Sequence, residues 1–280
     1  MPDLKETRFF ARELHPRLQP SNTHPNTLEE YLSLFEAARP GQRTGEASPS
    51  YLRSRTAATL IARQRHDTRI IAILREPTSF LRSLHLELLR DHVETEKDLG
   101  AAIALEGVRR REEEARRILP GLVYSEYVQY VEQLRRYHAV FPPEQVLVLI
   151  YDDFRADNEG TVRQVLRFLG VDETSPIEVM EANPTVRVRS PRMYEFVRSL
   201  YLGRGPVASA AKTAIKALTP QPLRLRALHA TRHSLLYANP KEPDAELMVE
   251  LRRRFKGEVI ALSRYLGRDL VTLWGYDRIG

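Results

Sequence analysis

The chain has 280 residues, 42% hydrophobic and 29% charged, which is an ordinary globular composition for one large domain or two small ones. It has no cysteine, which excludes structural disulfides, cysteine-ligated zinc and thiol catalysis. No apolar run approaches the ~18 residues that span a bilayer and MPDLKETRFF has no secretory core, so a cytoplasmic protein is expected; its formal charge of +6, mostly arginine, admits an anionic ligand or simply a solvated basic surface.

In chain order, NTLEEYLSLFEAA (26–38) carries a capping box at Thr27 and Glu30 and apolar residues at helical spacing, which predicts a helix closed by Pro40 and Gly41. GEASPSYL is then irregular or short extended chain leading to a helix over 56–64. RIIAIL, short and rich in β-branched residues, predicts a strand buried on both faces. Past Pro77 the leucines at 81, 84 and 88 switch to helical steps, and strand followed by helix opens a parallel α/β unit.

Residues 94–117 are dominated by Glu and Arg and read as a solvated helix or excursion. Tyr124, Tyr127, Val128, Val131 and Leu134 share a helical face that Phe141-Pro142-Pro143 ends. QVLVLIY is a second buried strand, Asp152-Asp153-Phe154 leads away from it, and a helix through Val162, Val165, Leu166 and Leu169 stops at Gly170. Residues 183–243 are basic and broken by prolines, an irregular lobe or lid. A last amphipathic helix through Leu247, Leu251, Phe255, Val259 and Leu262 precedes Leu273-Trp274-Gly275-Tyr276, which docks its end. No repeat is visible, and 1–280 reads as a single α/β domain with a parallel sheet covered by helices.

In such sheets anions bind where strands end and helix N-termini begin. Arg75 sits there, Pro77 suits the first helical turn, and Ser83 follows two turns on. A pairing of Arg75 with Glu76 or another carboxylate stays open beside the anion reading.

The order KETRFF, GEASPSYL, IIAILREPTSFLRS, VLVLIYDDF and FLG resembles the sulfotransferases that use 3'-phosphoadenosine 5'-phosphosulfate, in the branch of bacterial and heparan-sulfate-type carbohydrate enzymes. The likeness runs through roughly the first 170 residues and returns weakly in FKGEVIALSRYLGRDLVTLWGY. It implies a P-loop-like fold and transfer of a sulfuryl group to a hydroxyl or amine of a small-molecule or glycan acceptor. Arg75 and Ser83 match the residues that hold the donor's 3'-phosphate, and Glu6 matches the general base that takes the acceptor's proton. Lys5 can stabilise anionic charge beside it. Without the resemblance, Glu6 is a surface ion pair. Glu46 and Ser48 shape the acceptor cleft or make turn chemistry. Arg187, Arg189 and Arg192 are candidates to close over the nucleotide or an acidic acceptor, or form an exposed basic face.

Histidine is the alternative base, with His15, His24, His66, His85 and His92 placed for it. No HExxH-like spacing points to a metal, and none is expected where arginine and lysine can stabilise the transferring charge. Nucleic-acid binding lacks a motif or interleaved aromatics.

The likeness departs in one place: no KxGTT-type loop or GxxxxGK[ST] motif occurs, so the strand, loop and helix that open such folds are expected to be missing. A sheet so truncated would expose strand edges, and weak nucleotide binding with little turnover is the expectation. The alternative to a truncated enzyme is an inactive remnant that binds nucleotide, glycan or a protein partner.

Overall fold

The computed structural model describes residues 4, 6–14, 24–91, 93–115, 121–177, 187–188, 237–238 and 244–280. The chain forms two compact units, one of Met1–Arg82, Glu96–Met180 and Ala245–Gly280 and another of Ser83–Thr95 and Glu181–Asp244.

Helix α1 (Leu28–Ser33) begins at the predicted capping box, with Thr27 accepting from the Glu30 amide and Glu30 reaching back to the Thr27 amide. It is shorter than the apolar pattern predicts, and the chain continues through turns over 34–37. Two short helices follow, α2 (Ser50–Arg53) and α3 (Ala57–Gln64). Strand β1 (Ile70–Leu74) leads into α4 (Pro77–Arg90), where Glu76 accepts from the amides of Thr78 at 3.1 Å and Ser79 at 2.7 Å. A carboxylate there satisfies two of the helix's orphan donors and meets its positive end.

The charged stretch forms α5 (Leu99–Ala104) and α6 (Glu106–Glu114), and here the solvated reading is corrected. Glu106 and Arg109 are buried: Glu106 accepts from the Ser125 amide and pairs with Arg254, while Arg109 donates to the carbonyls of Ala102 and Leu122. Within 124–134 the shared apolar face is present, but its first part is a 3-10 turn (Tyr124–Val128) before α7 (Tyr130–His138). Strand β2 (Val146–Ile150), α8 (Tyr151–Ala156) and α9 (Asn158–Leu169) follow, and α9 ends at Gly170 in the left-handed region, φ 65°.

β1 and β2 pair in parallel with Ile70 opposite Val146 and Leu74 opposite Ile150. One face of the pair, through Ile70, Val146 and Val148, packs on Phe10, Ala57, Ala58, Ile61, Tyr137 and Phe141. Along β1 the other face is not covered as expected: Ile71 is 41% and Ile73 49% exposed, while Ala72 and Leu74 are buried. Successive strand residues point to opposite faces, so one buried layer accounts for this alternation.

In the second unit β3 (Arg187–Val188) and β4 (Tyr237–Ala238) pair antiparallel, Arg187 opposite Ala238. The rest of 183–243 lies outside the described residues. The C-terminal helix α10 (Ala245–Leu266) buries Leu251, Phe255, Val259 and Leu262 and packs on α7, and α11 (Leu270–Leu273) follows. Trp274 and Tyr276 are buried, as the docking expectation requires, whereas Leu273 is exposed. Among the described residues no helix is long and apolar enough to cross a membrane.

Candidate active site

Because Leu74 and Ile150 are paired, the residues after them leave the sheet at the same level. Arg75 therefore meets Tyr151, with its guanidinium carbon 5.1 Å from the ring centre. The Arg75 carbonyl accepts from Tyr130 Oη at 2.9 Å. Burial pushes the Tyr130 hydroxyl well above its ordinary range, and the Glu76 charge adds to this, so it remains a donor at neutral pH. The arginine is half-buried at the carboxyl end of a parallel strand.

The Glu76 carboxylate is occupied by its own helix and by the C-terminal tail. Besides the two amides it accepts from Thr78 Oγ1 at 2.9 Å and from Tyr276 Oη at 2.6 Å, with Arg252 Nε 3.9 Å away. Burial pushes its pKa up, but the bonds from Tyr276, Ser79 and Thr78 outweigh that and leave it below the ordinary carboxylate value. Beside it, Asp152 accepts from Trp274 Nε1 at 2.9 Å and Asp153 takes both terminal nitrogens of Arg268. The DDF motif thus anchors the tail.

The second group of residues surrounds Glu6. Glu6 (φ 63°) and Arg8 (φ 56°) both adopt left-handed backbone, which costs a non-glycine residue about 1–2 kcal/mol and persists only where neighbours enforce it. Those neighbours come from GEASPSY. Buried Thr7, between the two, donates through Oγ1 to Glu46 Oε1 at 2.9 Å and lies 3.0 Å from Tyr51 Oη. Ser48 Oγ donates to Glu46 Oε2 at 2.8 Å and accepts from the Arg8 amide at 3.0 Å. Burial, then Glu46, pushes the Tyr51 hydroxyl up and keeps it protonated. Phe10 is buried and, with Phe9 and Tyr31, forms an aromatic cluster whose Phe9 and Tyr31 rings stack at 4.8 Å. This fixes the turn to the sheet's packed face and leaves Glu6 half-exposed, its Oε2 3.1 Å from Arg8 Nη2.

Arg75 and Glu6 are thus organised by different neighbours, the first by strand pairing and an aromatic ring, the second by a hydrogen-bonded clamp. Ser83 is half-buried on α4, in the part of that helix assigned to the second unit. Lys5, Arg189 and Arg192 lie outside the described residues, as do His15 and His92; Arg187 is described as strand backbone. Of the other histidines, His85 is buried and His24 and His66 are not. Among the described residues no group of three His, Cys, Asp or Glu could hold a metal ion.

Three contributors were not singled out in the sequence: Thr7, Tyr51 and Tyr151. Tyr151 had a signal, since it closes an apolar strand at the level of Arg75. Thr7 had none, because its partner Glu46 is 39 residues away.

The Sulfotransferase family profile matches residues 14–175, a segment that includes Arg75 and Ser83 and leaves Glu6 outside. Among solved structures, the crystal structure of a sulfotransferase from Alicyclobacillus acidocaldarius is similar at 25% identity, over 80% of this chain and 87% of that one, with a TM-score of 0.56. No curated protein matches the chain. With a strand-end arginine on a parallel sheet and a family match over more than half its length, this chain belongs to the sulfotransferase family.

Proposed function

We propose that this protein transfers a sulfuryl group from 3'-phosphoadenosine 5'-phosphosulfate to a hydroxyl or amine on a carbohydrate-like acceptor. The observation that carries the reading is Arg75, half-buried at the carboxyl end of β1 and set over the Tyr151 ring within the family-matched segment. A guanidinium at the carboxyl end of a parallel strand presents planar donors of the kind that bind an oxyanion, which fits a phosphate ligand. Arg75 and, eight residues on, Ser83 hold the donor's 3'-phosphate. The bound donor supplies the activated sulfuryl group.

Glu6 takes the acceptor's proton as the acceptor oxygen or nitrogen attacks sulfur, since an alcohol is a poor nucleophile until a carboxylate within hydrogen-bond reach accepts that proton. The clamp through Thr7, Glu46 and Ser48 supports this role, because strained backbone held by side chains gathers where geometry matters. Lys5 adds positive charge beside it, and Arg189 is the further arginine assigned to the nucleotide.

Isothermal titration with adenosine 3',5'-bisphosphate tests the reading. Saturable but weak binding, above the low-micromolar range, is expected in the absence of the KxGTT-type loop, weakened a further tenfold or more in Arg75→Ala, equivalent to ~1.4 kcal/mol. Binding indifferent to that substitution sinks the assignment. Radiolabelled sulfuryl transfer to candidate sugars then separates a transferase from a chain that binds nucleotide without turnover.

A further inference from the structure

At the opposite end of the same strands lies an open cleft of about 460 Å³, with Arg43, Asp67, Arg69, Glu144, Arg167, Phe168 and Gly170 in its lining. Arg69 precedes β1 and Arg75 follows it, so the five intervening residues put the two arginines ~20 Å apart at 3.3 Å per residue. The cleft is therefore separate from the strand ends where the donor is placed.

Arg69 donates to the Phe168 carbonyl and lies with its guanidinium carbon 5.7 Å from the Phe168 ring centre. This caps the negative end of α9, which a single cation suffices to do. Arg43 is a second cation at the same place with no such task. Because Gly170 carries no Cβ, both come close: a Cβ built there would lie 3.3 Å from Arg69 Nη1 and 4.0 Å from Arg43 Nη2.

Two guanidiniums thus reach within 4.0 Å of one point, and neither forms an ion pair with a described carboxylate. The acids of the cleft form no direct ion pair with either arginine. Asp67 is held by Arg65 at 2.8 and 3.3 Å, and Glu144 pairs with neither arginine. Arg167, at the rim, is held by Glu173 at 2.8 Å. Two like charges without a directly bonded counter-charge repel, and an anion held between them relieves that repulsion, most strongly at low salt. Two planar forks around a point suit a tetrahedral oxyanion, with the Phe168 ring as a flat wall for its carrier.

We propose that Arg43 and Arg69 form a second oxyanion site, distinct from the donor site, that takes a sulfate or phosphate ester on a small carrier such as a sugar. The two esters share the chemistry that the site recognises, and the carrier rests on Phe168.

The test is calorimetric titration at low salt in the Arg75→Gln background, so that its outcome does not depend on the donor-site reading. Inorganic sulfate and inorganic phosphate are titrated first, then glucose 6-sulfate and glucose 6-phosphate. Saturable millimolar binding is expected, at least tenfold weaker in Arg43→Gln and progressively lost as salt screens the charges. Arg43 is exposed, so its substitution leaves the fold intact, which circular dichroism checks. Arg69→Gln is expected to weaken binding as well, together with some fraying of α9. The tighter-binding ester identifies the source, and equal affinities mean that charge alone is read; both support the site. No saturation into tens of millimolar, or binding unchanged by both substitutions, overturns it.

Discussion

Glu76 is almost wholly buried at the head of α4, yet it is held ionised by donors from its own helix and from the C-terminal tail: the amides of Thr78 and Ser79 and the hydroxyl of Tyr276. A hydrogen bond to a buried charged group contributes about 1.5–3 kcal/mol, so Tyr276→Phe is expected to destabilise the protein by that amount at neutral pH. The pH dependence has a definite sign. The folded pKa of Glu76 is depressed, so its contribution is fully present above the ordinary value of 4.5 and is lost as pH falls through the lower folded value. The gap between wild type and Tyr276→Phe in urea midpoint should therefore hold from pH 7 to pH 5 and narrow below about pH 4.5. An equal gap at pH 7 and pH 3 would show that the bond does not depend on the ionised carboxylate. Sequence reasoning located Arg75 because strand ends bind anions wherever the strand lies, but it could not assign Glu76. Its tail partner is 200 residues away, and nothing local marks Tyr276 as a donor.

An apolar run fixes the identity of an element better than its surroundings. RIIAIL and VLVLI both became strands in parallel pairing, as their β-branched composition predicts, and the helices after Pro77 and before Gly170 began and ended at the residues that signal them. Coverage is a tertiary property, and there the expectation for β1 departed from the structure: Ala72 and Leu74 face the packed side, and Ile71 and Ile73 face out. The two faces should respond differently to substitution. Ile73→Thr keeps a β-branched strand former at an exposed position and is expected to shift stability by no more than ~0.5 kcal/mol. Leu74→Ala opens a buried cavity and should cost about 2–5 kcal/mol. Chemical denaturation of the two variants decides; a large loss for Ile73→Thr would mean that the outer face is covered in solution. The same limit applies to 94–117, whose composition reads as surface although Glu106 and Arg109 are buried. An opposite charge on α10 and two backbone carbonyls meet them, and neither is visible in a local charge pattern.

At the scale of the molecule, the C-terminal segment is what unites the strand ends of the first unit. Trp274 bonds Asp152, Arg268 holds Asp153, and Tyr276 bonds Glu76, so each strand's exit is fastened to residues that follow α10. Glu258 on α10 adds a fourth tie by accepting from the Val131 amide at 2.8 Å at the start of α7. Leu270, Trp274, Tyr276 and Ile279 are all buried, and a fully buried apolar side chain contributes roughly 1.5–3 kcal/mol. Removing residues 267–280 withdraws all four and leaves Glu76 without its Tyr276 donor. Even discounted for partial burial in the unfolded chain, that loss is comparable to the 5–15 kcal/mol by which domains are stable. A chain ending at Leu266 is therefore expected to lose its cooperative thermal transition and its near-ultraviolet dichroism while keeping helical far-ultraviolet signal. Should it instead unfold cooperatively within a few degrees of the full chain, the tail is an accessory cover. The strand exits, with Arg75 among them, would then be held by the sheet and α4 alone.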